Sequence, residues 1–195
     1  MTAPKTKNLP ASVRHRLRNL VADGSHFNRI LKQYTHERLL YRLLHVAAED
    51  QFVLKGAMLW TVWEGRQRRP TRDVDLLGSR RESPRTFEKL FRSVCDADVE
   101  PDGLVFDRRS VIAKWIREGE DYKAVRVIAS ARLEQARIAF QVDVGFGDVV
   151  TPEATTSLLP PLLPFPRCAS RHTRRRPSSR RRSMPWSSWS GPTPE

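Results

Sequence analysis

Two runs of alternating residues, joined by a two-residue polar link, constrain this chain more than any other feature. In the first, Val125, Val127, Ala129 and Ala131 alternate with Arg126, Ile128, Ser130 and Arg132; in the second, Ile138, Phe140, Val142 and Val144 alternate with Ala139, Gln141 and Asp143. Successive side chains of a strand point to opposite faces, so each run has one face to bury and one to leave wet. The link Glu134-Gln135 makes an antiparallel hairpin the natural reading. An apolar sheet face needs a second layer, and helices are available upstream. Val13, Leu17, Leu20 and Val21 recur at helical spacing between Ala11 and Asp23, where Asp23-Gly24-Ser25 stops them, and a second helix is predicted from His26 to Ala48. A short strand at Phe52-Val53-Leu54, a helix over 57–64, a strand over 71–77 and an amphipathic helix over 84–97 follow. The stretch 104–118 is ambiguous, with Leu104-Val105-Phe106 extended. The sum is an α+β domain, a mixed sheet flanked by helices behind an N-terminal helical pair.

Composition narrows the setting. No run of about 18 apolar residues exists, so no membrane span is expected, and a cytoplasmic location follows as the default. Cys95 and Cys168 match no metal or redox spacing and read as ordinary thiols. The net charge of +13 points to a polyanionic partner, but eight of the 35 basic residues lie in the last 29 positions. The body of the chain is only moderately basic.

The chemistry concentrates in Arg72-Asp73-Val74-Asp75-Leu76-Leu77. On a strand, Asp73 and Asp75 project together while Val74 and Leu76 enter the core. Two carboxylates held close repel, and a hard divalent cation relieves that repulsion. Magnesium takes oxygen ligands and leaves room for substrate phosphates. A third acid, Asp143, sits inside an apolar strand, where a charge is costly unless paired or metal-bound. Three strand-borne carboxylates form the protein share of a two-metal site, one ion for the attacking hydroxyl and one for the leaving pyrophosphate. The bland alternatives are a solvated strand face for Asp73 and Asp75, and an ion pair from Asp143 to Arg126 or Arg132 across the hairpin. Upstream, Lys55-Gly56-Ala57 falls at a predicted strand-to-helix turn, where free backbone N–H groups favour anions and Gly56 permits close approach of a triphosphate. Lys55 either adds a point charge there or snorkels to water.

The segment Phe52–Gly78, FVLKGAMLWTVWEGRQRRPTRDVDLLG, resembles the first motif of AbiEii/AbiGii-type nucleotidyltransferases of the polymerase-β-like superfamily: a small-residue turn, a short helix, then Arg-x-Thr/Ser-x-Asp-x-Asp-Leu. Those positions are Arg69, Thr71, Asp73, Asp75 and Leu76; Ala57 stands where many relatives carry a second glycine or small polar residue. Gln141–Asp148 resembles the family's later acidic strand, so Asp143 inherits the third-ligand role. The resemblance covers about residues 12–166. It implies a magnesium- or manganese-dependent transfer of a nucleotide from a nucleoside triphosphate to an acceptor hydroxyl, tRNA being a plausible acceptor. Asp73, Asp75 and Asp143 are then the catalytic and metal-binding carboxylates, and Lys55, Gly56, Ala57, Arg69 and Thr71 the nucleotide contacts. Some relatives are toxins of toxin–antitoxin or phage-defence systems, which implies a cognate antitoxin.

Three segments are therefore expected: a flexible N-terminus over 1–11, the transferase domain over 12–166, and a disordered tail over 167–195. Relatives continue with a helix containing Ala-Glu-Lys, whereas this tail is Arg, Ser, Pro and Trp without periodicity. A disordered basic arm for RNA is the plain interpretation. A reading-frame shift is the sharper one: codons exist for Pro177–Gly191 that, read one base earlier, give VVAEKVDAMVELVG, with the signature lysine spanning Arg181 and Arg182. In that case the chain binds metal but transfers little. Two rival functions remain, a non-catalytic basic RNA-binding protein and a metal-dependent nuclease using the same carboxylates.

Overall fold

The computed structural model describes residues 8–21, 27–48, 50–64, 71–118, 122–147 and 154–172. Helix α1 (Leu9–Asn19) starts earlier than its apolar repeat does. The Asn8 side chain accepts from the Ala11 N–H at 3.2 Å, and Pro10 in the first turn needs no hydrogen-bond partner, so the cap draws residues 9–11 out of the expected flexible end. Helix α2 (Phe27–Val46) follows. Strand β1 (Phe52–Lys55) runs into a 3-10 turn at Gly56–Met58 and helix α3 (Leu59–Glu64). Strand β2 (Val74–Gly78) begins three residues later than the sequence pattern predicts, and helix α4 (Pro84–Cys95) is capped by Ser83, whose hydroxyl accepts from Thr86 N at 3.2 Å.

The ambiguous stretch is a single long strand, β3 (Leu104–Glu118), with a register shift between Asp107 and Ile112. It joins β4 (Tyr122–Leu133) and β5 (Ala136–Gly145), the hairpin expected from the alternating runs. Glu134 in its turn takes a left-handed φ of 54° and is met by Arg14 at 3.2 Å. Two further strands, β6 (Thr155–Leu159) and β7 (Cys168–His172), complete a seven-stranded sheet of order β3-β4-β5-β2-β1-β7-β6. The β2–β5 and β1–β7 pairs are parallel and the others antiparallel. Strand β7 corrects the boundary drawn at 166/167. Cys168 and Ser170 are buried in a paired strand, so the fold continues through His172; the rest of the expected tail lies outside the described residues.

Helices α1, α2 and α4 cover one sheet face, where Leu17, Tyr34, Leu43, Phe87 and Phe91 meet Val125, Val127, Phe140 and Val144. Buried within that layer is a charged cluster. Asp102, 1% exposed, accepts from Arg38 Nε at 2.8 Å, from Arg42 at 2.6 and 3.0 Å and from the Leu104 N–H at 3.1 Å. Tyr34 donates to the Asp102 carbonyl at 2.8 Å, and Arg38 donates to the Pro166 carbonyl at 2.8 Å. Burial alone would push the Asp102 carboxyl up, but the hydrogen bonds and charge of Arg42, then Arg38, hold it below the usual range. Next to it on α2, Glu37 accepts from the Leu162 N–H at 2.9 Å. These bonds clamp α2 to the loop before β3 and to the segment between β6 and β7. Both thiols are pushed up to about 12, chiefly by burial, as inert cysteines should be.

Candidate metal and nucleotide site

The register of the sheet builds the site. Parallel pairing sets Asp75 opposite Asp143, while antiparallel pairing sets Lys55 opposite Asp75 and Arg126 opposite Asp143. Lys114 lies opposite Arg126 in turn. Directly opposed residues share a sheet face, so Lys55, Asp75, Asp143, Arg126 and Lys114 form one row across five strands, two adjacent acids flanked by cations. Asp73 joins from just before β2: Asp73, Asp75 and Asp143 offer carboxylate oxygens within 4.8 Å of one another, all half-buried. The strand expected over 71–77 is shortened at that point because Thr71 turns the chain. Its hydroxyl lies 2.8 Å from the Asp73 carbonyl and 3.2 Å from Asp73 Oδ1. Thr71 therefore orients Asp73, which is what the structure adds to its expected nucleotide contact.

Arg126 grips Asp143 with both ends of its fork, Nε to Oδ1 at 2.9 Å and NH2 to Oδ2 at 2.8 Å, and Gln141 adds a bond at 3.2 Å. The ion pair weighed as an alternative to metal binding is thus present alongside the carboxylate cluster. The two are compatible, since a carboxylate has about four lone-pair sites and Arg126 with Gln141 engages three.

Gly56 is fixed by this site. Its φ of 68° favours glycine, and a Cβ there would collide with the Asp75 carboxylate. Lys55, Gly56, Asp75 and Asp143 line an open cleft of about 190 Å³, closed on the far side by Ile116 and Ala124. Ala57 lies in the 3-10 turn beside it, and Arg69 lies outside the described residues. Arg126 entered the sequence reading only as a charge partner, and Lys114 not at all. Their signal was the hairpin register, which an alternating pattern leaves open by two residues in either direction.

The donor set suits a hard divalent ion: three carboxylates, no sulfur or imidazole, and an open side for phosphate oxygens. No described helix is long and apolar enough to cross a membrane.

The family model of the nucleotidyl transferase AbiEii toxin, of type IV toxin–antitoxin systems, matches residues 38–174. No curated protein sequence matches the chain. Two solved structures from Helicobacter pylori are similar. JHP933 is 13% identical with a TM-score of 0.45, over 73% of this chain and 53% of that one. A candidate nucleotidyltransferase is 16% identical with a TM-score of 0.43, over 64% of this chain and 50% of that one. The chain spans about half the length of each.

Proposed function

The chain belongs to the AbiEii nucleotidyltransferase toxin family, and from that premise we propose that its carboxylate row serves metal-dependent nucleotide transfer to an acceptor hydroxyl. The single observation that carries this reading is the convergence of Asp73, Asp75 and Asp143 within 4.8 Å. Asp73, Asp75 and Asp143 would hold the ion, and magnesium or manganese bound there would supply charge neutralisation for the triphosphate and a more acidic acceptor hydroxyl. In the transfer the acceptor oxygen bonds to the α-phosphorus, the α–β phosphoanhydride breaks, pyrophosphate leaves and the hydroxyl proton passes to a carboxylate or water. Gly56 keeps the backbone close to that cleft and Lys55 adds positive charge at its edge. Arg126 keeps Asp143 in place and Thr71 does the same for Asp73. Catalysis of this kind is mostly positioning and electrostatics. An RNA acceptor such as tRNA, an antitoxin partner and a cytoplasmic site of action complete the proposal.

We also propose that the reading frame is lost after the family match ends at 174 rather than at 166. The chain then keeps its metal site and transfers poorly. Manganese binding, followed by electron paramagnetic resonance, tests the site: Asp75→Asn is expected to weaken it more than about 100-fold, since a direct ligand matters more than the outer-shell partners whose loss costs 10–100-fold. Unchanged affinity sinks the metal site. Pyrophosphate release by a chain restored to the alternative frame separates transfer from nuclease action.

A further inference from the structure

The sheet face that carries the carboxylates does not end with them. Helices α1, α2 and α4 pack on the opposite face, while on this one three large aliphatics of β3 and β4 stay open to solvent: Val105 at 56%, Ile112 at 60% and Ile128 at 38%. Ile112 lies opposite Ile128, and Val105 opposite Arg132, which lies opposite Arg137 in turn. Two exposed arginines in direct cross-strand opposition destabilise a sheet. Among the described residues neither has an ion pair. They border an open cleft of about 480 Å³ to which Arg108 and Arg109 also contribute, against a single acid, Asp107. Arg137 is six residues from Asp143 along β5, so roughly 20 Å separates this cationic end from the carboxylates. Lys114, beside Arg126, adds a cation between them.

We propose that this face is the track for a single-stranded polynucleotide whose terminal hydroxyl reaches the carboxylates. The proposal rests on the transfer reading and deepens it by naming where on the molecule the acceptor lies. The like-charge pair Arg132 and Arg137, with Arg108 and Arg109 beside it, favours an anion, and a polynucleotide delivers one phosphate with every nucleotide. The exposed isoleucines lie where sugars and base faces pass. They are aliphatic rather than aromatic, so stacking contributes little and phosphate contacts carry the affinity. Binding is therefore salt-sensitive and indifferent to sequence.

The test uses fluorescence anisotropy with single-stranded RNA and DNA oligonucleotides and the full chain. The double variant Arg132→Glu, Arg137→Glu, at exposed positions that leave the circular dichroism unchanged, is expected to weaken binding at least tenfold. It should also flatten the salt dependence of log K by roughly 1.4, two phosphate contacts at about 0.7 each. Whichever oligonucleotide shows the loss identifies the sugar preferred. Binding equal to the parent with either oligonucleotide overturns the proposal. Because the arginine-rich residues after 172 can also hold an oligonucleotide, 4-thiouridine crosslinks are mapped as well. Crosslinks within 105–143 support the track, and crosslinks confined to 173–195 overturn it. Asp75→Asn, by contrast, should lose manganese and keep the oligonucleotide. If it kept both, the transfer reading would fail while the track stood.

Discussion

Asp102 and Asp75 are the same side chain placed in two opposite electrostatic situations. Asp102 is sealed under α2 with two arginines, a backbone N–H and a tyrosine bonded to its carbonyl. Asp75 shares a half-open cleft with two other carboxylates. In the first case every lone pair is engaged, so the charge ties three parts of the chain together. In the second, like charges are held close by a rigid register beside Arg126 and Lys55, a repulsion that a bound cation would relieve further. A carboxylate whose lone pairs are all engaged inside the protein is structural, and one that shares an open cleft with two others is placed to take a ligand.

Removing Asp102 is the strongest way to break the comparison. Asp102→Ala strands Arg38 and Arg42 in the core and is expected to cost about 3–5 kcal/mol in urea unfolding, the range for breaking one side of a buried pair. Asp75→Asn, at a half-open cleft, should cost far less in the absence of metal, and a loss there comparable to that of Asp102→Ala would erase the distinction. Gly56→Ala comes next. It strains a left-handed residue and drives a methyl group into the Asp75 carboxylate, so about 1–3 kcal/mol is expected, with manganese affinity falling in step. An intact affinity would show that Asp75 need not approach the backbone.

The smallest effect concerns Glu37, neighbour of the Asp102 cluster. Burial raises its carboxyl from 4.5 to about 7, against the opposing pull of the Leu162 N–H and Arg38. The folded protein thus holds this proton more tightly than the unfolded chain. Its contribution is fully present below about pH 4.5 and lost as the pH rises through about 7. Glu37→Gln should therefore flatten the stability profile across that window and raise the melting temperature at about pH 8. A profile parallel to the parent's would mean that Glu37 is ionised where it lies.

Much of this contrast was legible beforehand, and unevenly. Asp73, Asp75 and Asp143 stand out because acids interrupt otherwise apolar strand segments, where a charge is costly unless paired or metal-bound. The Asp102 cluster was missed. Glu37, Arg38 and Arg42 sit among Leu39, Leu40, Leu43 and Leu44, and the apolar residues dominated the reading of α2 as a plain packing helix. Arginines four apart in such a stretch were the available signal, since they share a helix face. Their partner, 60 residues further on in a loop, had none. Strand β7 escaped for a related reason. Cys168–His172 pairs in parallel with β1, a long-range contact that leaves no alternating apolar pattern in a five-residue segment.

Alternation by itself determined that residues 125–144 form a hairpin with one buried face and that Asp143 lies on the other, because side-chain direction along a strand is a local property. Which residues meet across strands was decided only by the tertiary structure. Register is a relation between distant segments, and it is the register that lines up Lys55, Asp75, Asp143 and Arg126 in one row.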